Sequence, residues 1–259
     1  MGRLKQGKKF VGDFETTVYE GQTFTEVWAS AIVEVGSENV LVFNSLEATY
    51  EWIKSQKTDM IIYYHNLKFD GSFWLSWLFS HGYKNAVDLI YSQNGIFVWK
   101  KDKELLNNEV KYAISDRGAW YRILFKIGKH YIELRDSYKL LPFSVKRIGE
   151  SFKTKHQKLD IEYEGYRYAG CTITPEEESY IKNDVLVVSE ALQMMFSEGH
   201  NKLTIGSCCL TEFKKAYLPG SAGTLSIHDY NERFPNLFKE KLKSRWDILP
   251  YDEHTRIDR

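Results

Sequence analysis

Three observations make the expected fold class α/β or α+β, built on a mixed sheet. The chain opens in a β-β-β-α-β pattern before any long helix. The apolar run MIIYY at Met60–Tyr64 has the length and composition of a central strand. Thr174-Pro175-Glu176-Glu177 is a strong helix start placed late in the chain: Thr as cap, Pro in the first turn, acidic side chains at the positive end of the helix dipole. At 259 residues and 30.4 kDa the chain can bury one substantial core, or one core with a small appendage.

Taken in order, Lys9–Phe14 reads as a buried strand. Phe24–Val35 carries β-branched and aromatic residues in partial alternation, and Asn39–Phe43 is a short third strand. Leu46–Ser55 has apolar spacing nearer to helical, with Ser45 as N-cap and Glu47 in the first turn. Met60–Tyr64 leads through HNLKFD into a helix expected from about Gly71 to Ser80. Strand-like runs follow at Leu89–Tyr91, Ile96–Lys100, Val110–Ser115, Trp120–Lys126 and Tyr131–Leu134. Phe143–Phe152 is expected to be helical, and the helix opened by Thr174 should run to about Ser197, before Gly199. Residues 200–259 read as helices and loops without repeats or low-complexity tracts, an extension to a domain spanning 1–199.

Composition excludes several classes. Hydrophobic residues at 43% and charged residues at 27% are ordinary for a soluble globular chain. The longest apolar runs are far too short to cross a bilayer, so no membrane partner is expected. No apolar run follows the basic N-terminus, which argues against a secretory leader, and Gln6 leaves the Met-Gly myristoylation pattern incomplete. Cys171, Cys208 and Cys209 fit neither a disulfide framework nor a zinc spacing, so reduced thiols in a cytoplasmic setting are expected. Net charge is zero, so bulk charge does not mark a nucleic-acid binder. Basic residues nevertheless recur beside aromatics in YRILFKIGKHY and SYKLLPFSVKR. Positive grooves with stacking rings hold single strands without sequence preference. A core rich in Tyr and Phe beneath solvated lysines would give the same pattern.

The chemistry-bearing signal is a set of four carboxylates. Asp13 and Glu15 stand in KKFVGDFETT, Asp70 in YYHNLKFDG, and Asp184 in YIKNDV with Tyr180 four residues before it. Alternate residues of a strand share a face, so Asp13 and Glu15 point the same way. Two such carboxylates repel unless cations fill the gap between them. The plainer reading is a solvent-facing Asp-x-Glu, common in a chain with 35 acidic residues; the apolar flank FVGDF weakens it by implying an internal strand. Tyr180 and Asp184 lie one turn apart on one helix face. Carboxylates from separate parts of a chain can hold two divalent metals that clamp the attacking and leaving oxygens of a phosphodiester. Each motif has a plainer reading: Asp70 as a helix cap, Tyr180 as a half-buried packing residue.

The order Asp-x-Glu, Asn-x2-Phe-Asp, Tyr-x3-Asp resembles the three motifs of the proofreading 3′–5′ exonuclease domain of family-B DNA polymerases. DFETT, YHNLKFDG, DSYKLLPFSVKRI and ITPEEESYIKNDV are similar to the protein-primed polymerases of small tailed bacteriophages, strongly over about residues 9–200. The resemblance implies a ribonuclease-H-like mixed sheet flanked by helices, in the Tyr-bearing subclass of the DEDD superfamily. It implies two divalent metal ions, Mg²⁺ or Mn²⁺, held by Asp13, Glu15, Asp70 and Asp184. Tyr180 would orient the nucleophilic water, and Lys158 in KHQKLDIEY would contact the scissile phosphate. Thr16, Tyr63, His65, Asn66, Phe69, Ser137, Tyr138 and Tyr163 fall on positions that contact the frayed single-stranded 3′ end. The family usually has Ser-Leu where this chain has Ser137-Tyr138.

The function expected from the resemblance is removal of nucleotides from single-stranded DNA 3′ ends. In a phage-encoded protein this would take place in the bacterial host cytoplasm. Neither Ser-Leu-Tyr-Pro nor Asp-Thr-Asp follows, so polymerase activity is not expected of this chain. Two rival readings are a polymerase-associated module that binds the 3′ end, a polymerase subunit or the terminal protein, and an exoribonuclease of the same superfamily. Within 200–259, the apolar Leu210, Phe213, Phe234, Leu237 and Trp246 are expected to form a helical cap on the core in preference to a surface for an absent polymerase domain.

Overall fold

The computed structural model describes residues 7–17, 19–89, 97–161 and 166–217. The chain divides into two compact units, Met1–Ile205 and Gly206–Arg259. The first unit is built on a mixed sheet of β1 (Lys8–Thr16), β2 (Val27–Glu34), β3 (Val40–Phe43), β4 (Met60–Tyr64), β5 (Lys84–Asn85), β8 (Glu109–Ile114), β9 (Trp120–Ile127) and β10 (His130–Asp136). Their order across the sheet is β3-β2-β1-β4-β10-β9-β8-β5. β6 (Val87–Leu89) and β7 (Phe97–Trp99) form a separate antiparallel pair. The helices are α1 (Leu46–Gln56), α2 (Leu67–Ser80), α3 (Val145–Phe152), α4 (Pro175–Ser197) and α5 (Ile205–Tyr217). β4 lies at the centre, parallel to both β1 and β10, as its unbroken apolar sequence predicts. Among the described residues no helix is long and apolar enough to cross a membrane.

The local signals act where the sequence places them. Ser45 caps α1, its Oγ accepting from the Ala48 N–H. Thr174 and Glu177 close a reciprocal capping box at the start of α4, with Pro175 in the first turn. Other boundaries move. The helix expected after HNLKFD begins inside it at Leu67, one turn before the expected Gly71, because Asn66 adopts a left-handed φ of 70° and the chain turns into helix at once. β10 runs to Asp136, beyond the expected Leu134, and α3 starts at Val145 behind a Ser144 cap. β2 begins at Val27, leaving Phe24 exposed, and the expected strand at Leu89–Tyr91 is instead β6, with Ile90, Tyr91 and Ile96 outside the described residues.

Register gives the sheet two unlike faces. Phe10, Phe14, Ile62, Tyr64, Ile123, Phe125, Ile132 and Leu134 point to one side and form the core with Trp74 and Leu78 of α2. On that face the Tyr64 ring lies so close to Gly12 that an added Cβ would sit 2.8 Å from it. The alternate residues of β1, among them Asp13 and Glu15, point to the opposite face, where α4 packs on β1 and β2. Farther across that face apolar residues give way to ion pairs. Glu133 of β10 is 2% exposed and lies between Arg122 and Arg135, and Asp102 joins Arg122 to Lys111.

Candidate active site

Three elements bring the carboxylates to one place. β1 supplies Asp13 and Glu15, the first turn of α2 supplies Asp70, and α4 supplies Asp184 with Tyr180 one turn before it. Burial, then the charges of Asp70, Glu15 and Asp184, push the Asp13 carboxyl well above the usual carboxylate range. Burial does the same to Asp70 against the opposing hydrogen bonds from the Asp70 and Phe14 N–H groups, with Glu15 adding to the rise. Asp184 is also raised, chiefly by burial. Two buried carboxylate oxygens, Asp70 Oδ1 and Asp184 Oδ1, have no hydrogen-bond partner. Orphaned buried oxygens are rare and call for a ligand or ion.

Lys158 reaches this cluster from the segment between α3 and α4. Its Nζ donates to the Tyr180 hydroxyl at 2.9 Å and pairs closely with Asp184 Oδ2. Burial works to lower the Lys158 pKa, but the bonds to Asp184 and Tyr180 outweigh it, and the ammonium stays charged. Tyr180 in turn hydrogen-bonds to Asp184. Beside it, a cavity of about 380 Å³ is lined by Leu159, Asp160, Ile161, Pro175, Glu176, Ser179 and Tyr180.

The donor set suits hard cations: all oxygen, negative, mutually repelling, with two unsatisfied atoms. As the side chains stand, no three His, Cys, Asp or Glu residues among the described ones make a ready metal cage. Asp184 is engaged by Lys158. Holding ions there requires side-chain adjustment.

The residues expected along a strand channel are spread more widely. Thr16 ends β1, partly buried. His65 lies 3.1 Å from Ser137 Oγ and 2.7 Å from the Phe143 carbonyl, with the Tyr138 ring 5.5 Å away. Burial, partly opposed by the Phe143 carbonyl, lowers the His65 pKa. Ser137 is buried and donates to the Tyr64 carbonyl. Phe69 and Tyr138 present exposed rings. Tyr63 is buried in β4, its ring against Phe196 and its hydroxyl accepting from Arg135. Tyr163 lies outside the described residues.

One organising residue was not anticipated. Asp136, buried at the end of β10, accepts through Oδ1 from the N–H groups of Asn66, Leu67 and Tyr138. It thereby fixes the start of the helix bearing Asp70 and the turn bearing Ser137 and Tyr138. An Asp before Ser is a common turn-former, and only the fold reveals its second set of donors.

The parallel β1-β4-β10 centre, its antiparallel flanks and the carboxylates on the α4 side define a ribonuclease-H-like domain. Residues 53–173 match the family described as DNA polymerase type B, organellar and viral. The chain is 36% identical over 236 residues to the DNA polymerase of Bacillus phage B103, covering 89% of this chain and 36% of that one. Phi29 DNA polymerase complexed with primer-template DNA superposes with a TM-score of 0.70 at 32% identity, over 87% of this chain and 36% of the polymerase. The phi29 enzyme complexed with single-stranded DNA gives a TM-score of 0.70 at 33% identity, over 86% and 38%. The chain is therefore a relative of the phage type B DNA polymerases, as its motifs led us to expect. It spans about a third of the length of the curated relatives it matches.

Proposed function

We propose that this chain is a polymerase-associated exonuclease module that hydrolyses nucleotides from the 3′ end of single-stranded DNA. The observation that carries this reading is the meeting of Asp13, Glu15, Asp70 and Asp184 with a charged Lys158 and the Tyr180 hydroxyl. The likeness to a phage polymerase complexed with single-stranded DNA supports the substrate. Asp13, Glu15, Asp70 and Asp184 would hold two divalent cations, Mg²⁺ or Mn²⁺. Bound there, such cations supply Lewis-acid stabilisation of the phosphate and a more acidic water.

The chain's own groups have separate tasks. The Lys158 ammonium neutralises charge developing on the scissile phosphate. The Tyr180 hydroxyl orients the attacking water. Phe69 and Tyr138, with exposed rings, stack on splayed bases. The test is incubation of end-labelled DNA and RNA with Mg²⁺, Mn²⁺ or EDTA. Single-stranded DNA is expected to shorten from its 3′ end in either metal and to stay intact in EDTA. Release of 5′ label first, or a preference for RNA, would contradict the reading.

A further inference from the structure

Lys158 belongs to no helix or strand, so its position has to be set by contacts. Building on the exonuclease reading, we propose that His156 and Glu190 form a positioning pair that holds Lys158 against Tyr180 and Asp184. Glu190 grips His156 twice: Oε2 accepts the His156 backbone N–H at 3.3 Å, and Oε1 lies 2.5 Å from the ring Nδ1. Both side chains are partly buried, at 23% and 19% exposed. Glu190 follows Asp184 by six residues on α4, about 9 Å along the helix axis. The step from His156 to Lys158 spans at most about 7 Å of extended chain, and the lysine stem covers the remainder.

The segment therefore runs antiparallel to α4, tied at Glu190 by His156 and at Asp184 by Lys158. The same stretch is fastened on its other side. Thr154 Oγ1 donates to the His156 carbonyl at 2.6 Å, and Gln157 Nε2 donates to the carbonyls of Thr154 at 2.7 Å and Gly149 at 3.3 Å. Both peptide groups of His156 are thus bonded, and the lysine leaves from a fixed backbone. Without the Glu190 grip, a side chain with many rotamers must find Asp184 from a loose one.

Two readouts test the pair. His156→Ala is expected to lower kcat about tenfold with KM nearly unchanged, while His156→Asn, whose amide can reach Glu190 in place of Nδ1, restores most of it. In a Lys158→Ala background, His156→Ala should add no further loss, because its effect passes through the missing ammonium. Independently of cleavage, acylation of Lys158 by an N-hydroxysuccinimide ester is followed by peptide mass mapping, with exposed Lys57 as internal standard. Lys158 should react slowly in the native chain and at least about fivefold faster in His156→Ala, since its amine, released from Tyr180 and Asp184, becomes more exposed to the reagent. Should that variant fail to fold, Glu190→Gln gives the same comparison. Unchanged Lys158 acylation, or equal kcat loss in both backgrounds, overturns the proposal. Loss of Lys158 protection in a chain that cleaves no DNA would retain the pair and remove the exonuclease reading.

Discussion

At the residue scale, the site is defined by charge that the fold holds at a cost. Asp13 and Asp70 are raised above their ordinary value of 3.8, in each case first by burial. Their folded pKa values exceed the unfolded ones, so the folded state binds more protons and stability falls as pH rises through that window. In EDTA, Asp13→Asn with Asp70→Asn should therefore stabilise the chain relative to wild type, and by more at pH 8 than at pH 5. Urea unfolding at the two pH values measures this, and a pH-independent difference would contradict it. Tyr180→Phe keeps the ring but removes one of the two partners of Lys158 Nζ, leaving Asp184. It should lower kcat clearly while leaving DNA affinity near wild type, as for a group that acts in the transition state. Titration of labelled single strands, alongside steady-state rates, separates the two effects.

Asp13, Glu15, Asp70, Tyr180 and Asp184 announced themselves by spacing within short motifs. Asp136 and the His156–Glu190 pair did not, because Asn66 and Leu67 lie 70 and 69 residues from Asp136, Glu190 lies 34 from His156, and these contacts depend on which elements pack together. Buried Glu133 was equally silent: a Glu in a strand reads as solvated until Arg122 and Arg135 are seen around it.

At the element scale, strand and helix identities were legible where the determinant is local. Ser45 and Thr174 cap helices, with Pro175 in the first turn after Thr174, as their chemistry dictates, and MIIYY forms the central strand. The start of α2 was missed by a turn because it rests on the left-handed Asn66 and on Asp136, not on a side-chain cap. Thr174→Ala removes one half of the capping box at the helix that carries Tyr180 and Asp184. It should cost about 1 kcal/mol of stability in denaturant titration. Gly12→Ala presses a methyl group into the Tyr64 ring, whose hydroxyl accepts from Trp74. The expected penalty is about 1–3 kcal/mol, with a loss of activity because Asp13 is the next residue on β1. A Gly12→Ala chain as stable as wild type would mean that Tyr64 moves aside freely.

At the scale of the whole molecule, the sheet divides its labour between faces. One face is apolar and buries α1 and α2, while the other carries carboxylates under α4 and ion pairs beyond. A duplex end must be unpaired before its terminal base can enter such a site, so single-stranded 3′ tails should be degraded much faster than blunt duplex. The mixed sheet was legible from the order of strand and helix patterns; the pairing of β10 beside β4 was not, since it joins residues about seventy apart. Cleavage by the four converging carboxylates is checked by comparing wild type with Asp13→Asn/Asp70→Asn, purified in parallel, on 3′-tailed DNA in Mg²⁺. The wild-type chain is expected to shorten the tail and the folded double variant to leave it intact. Equal shortening by both proteins would contradict this.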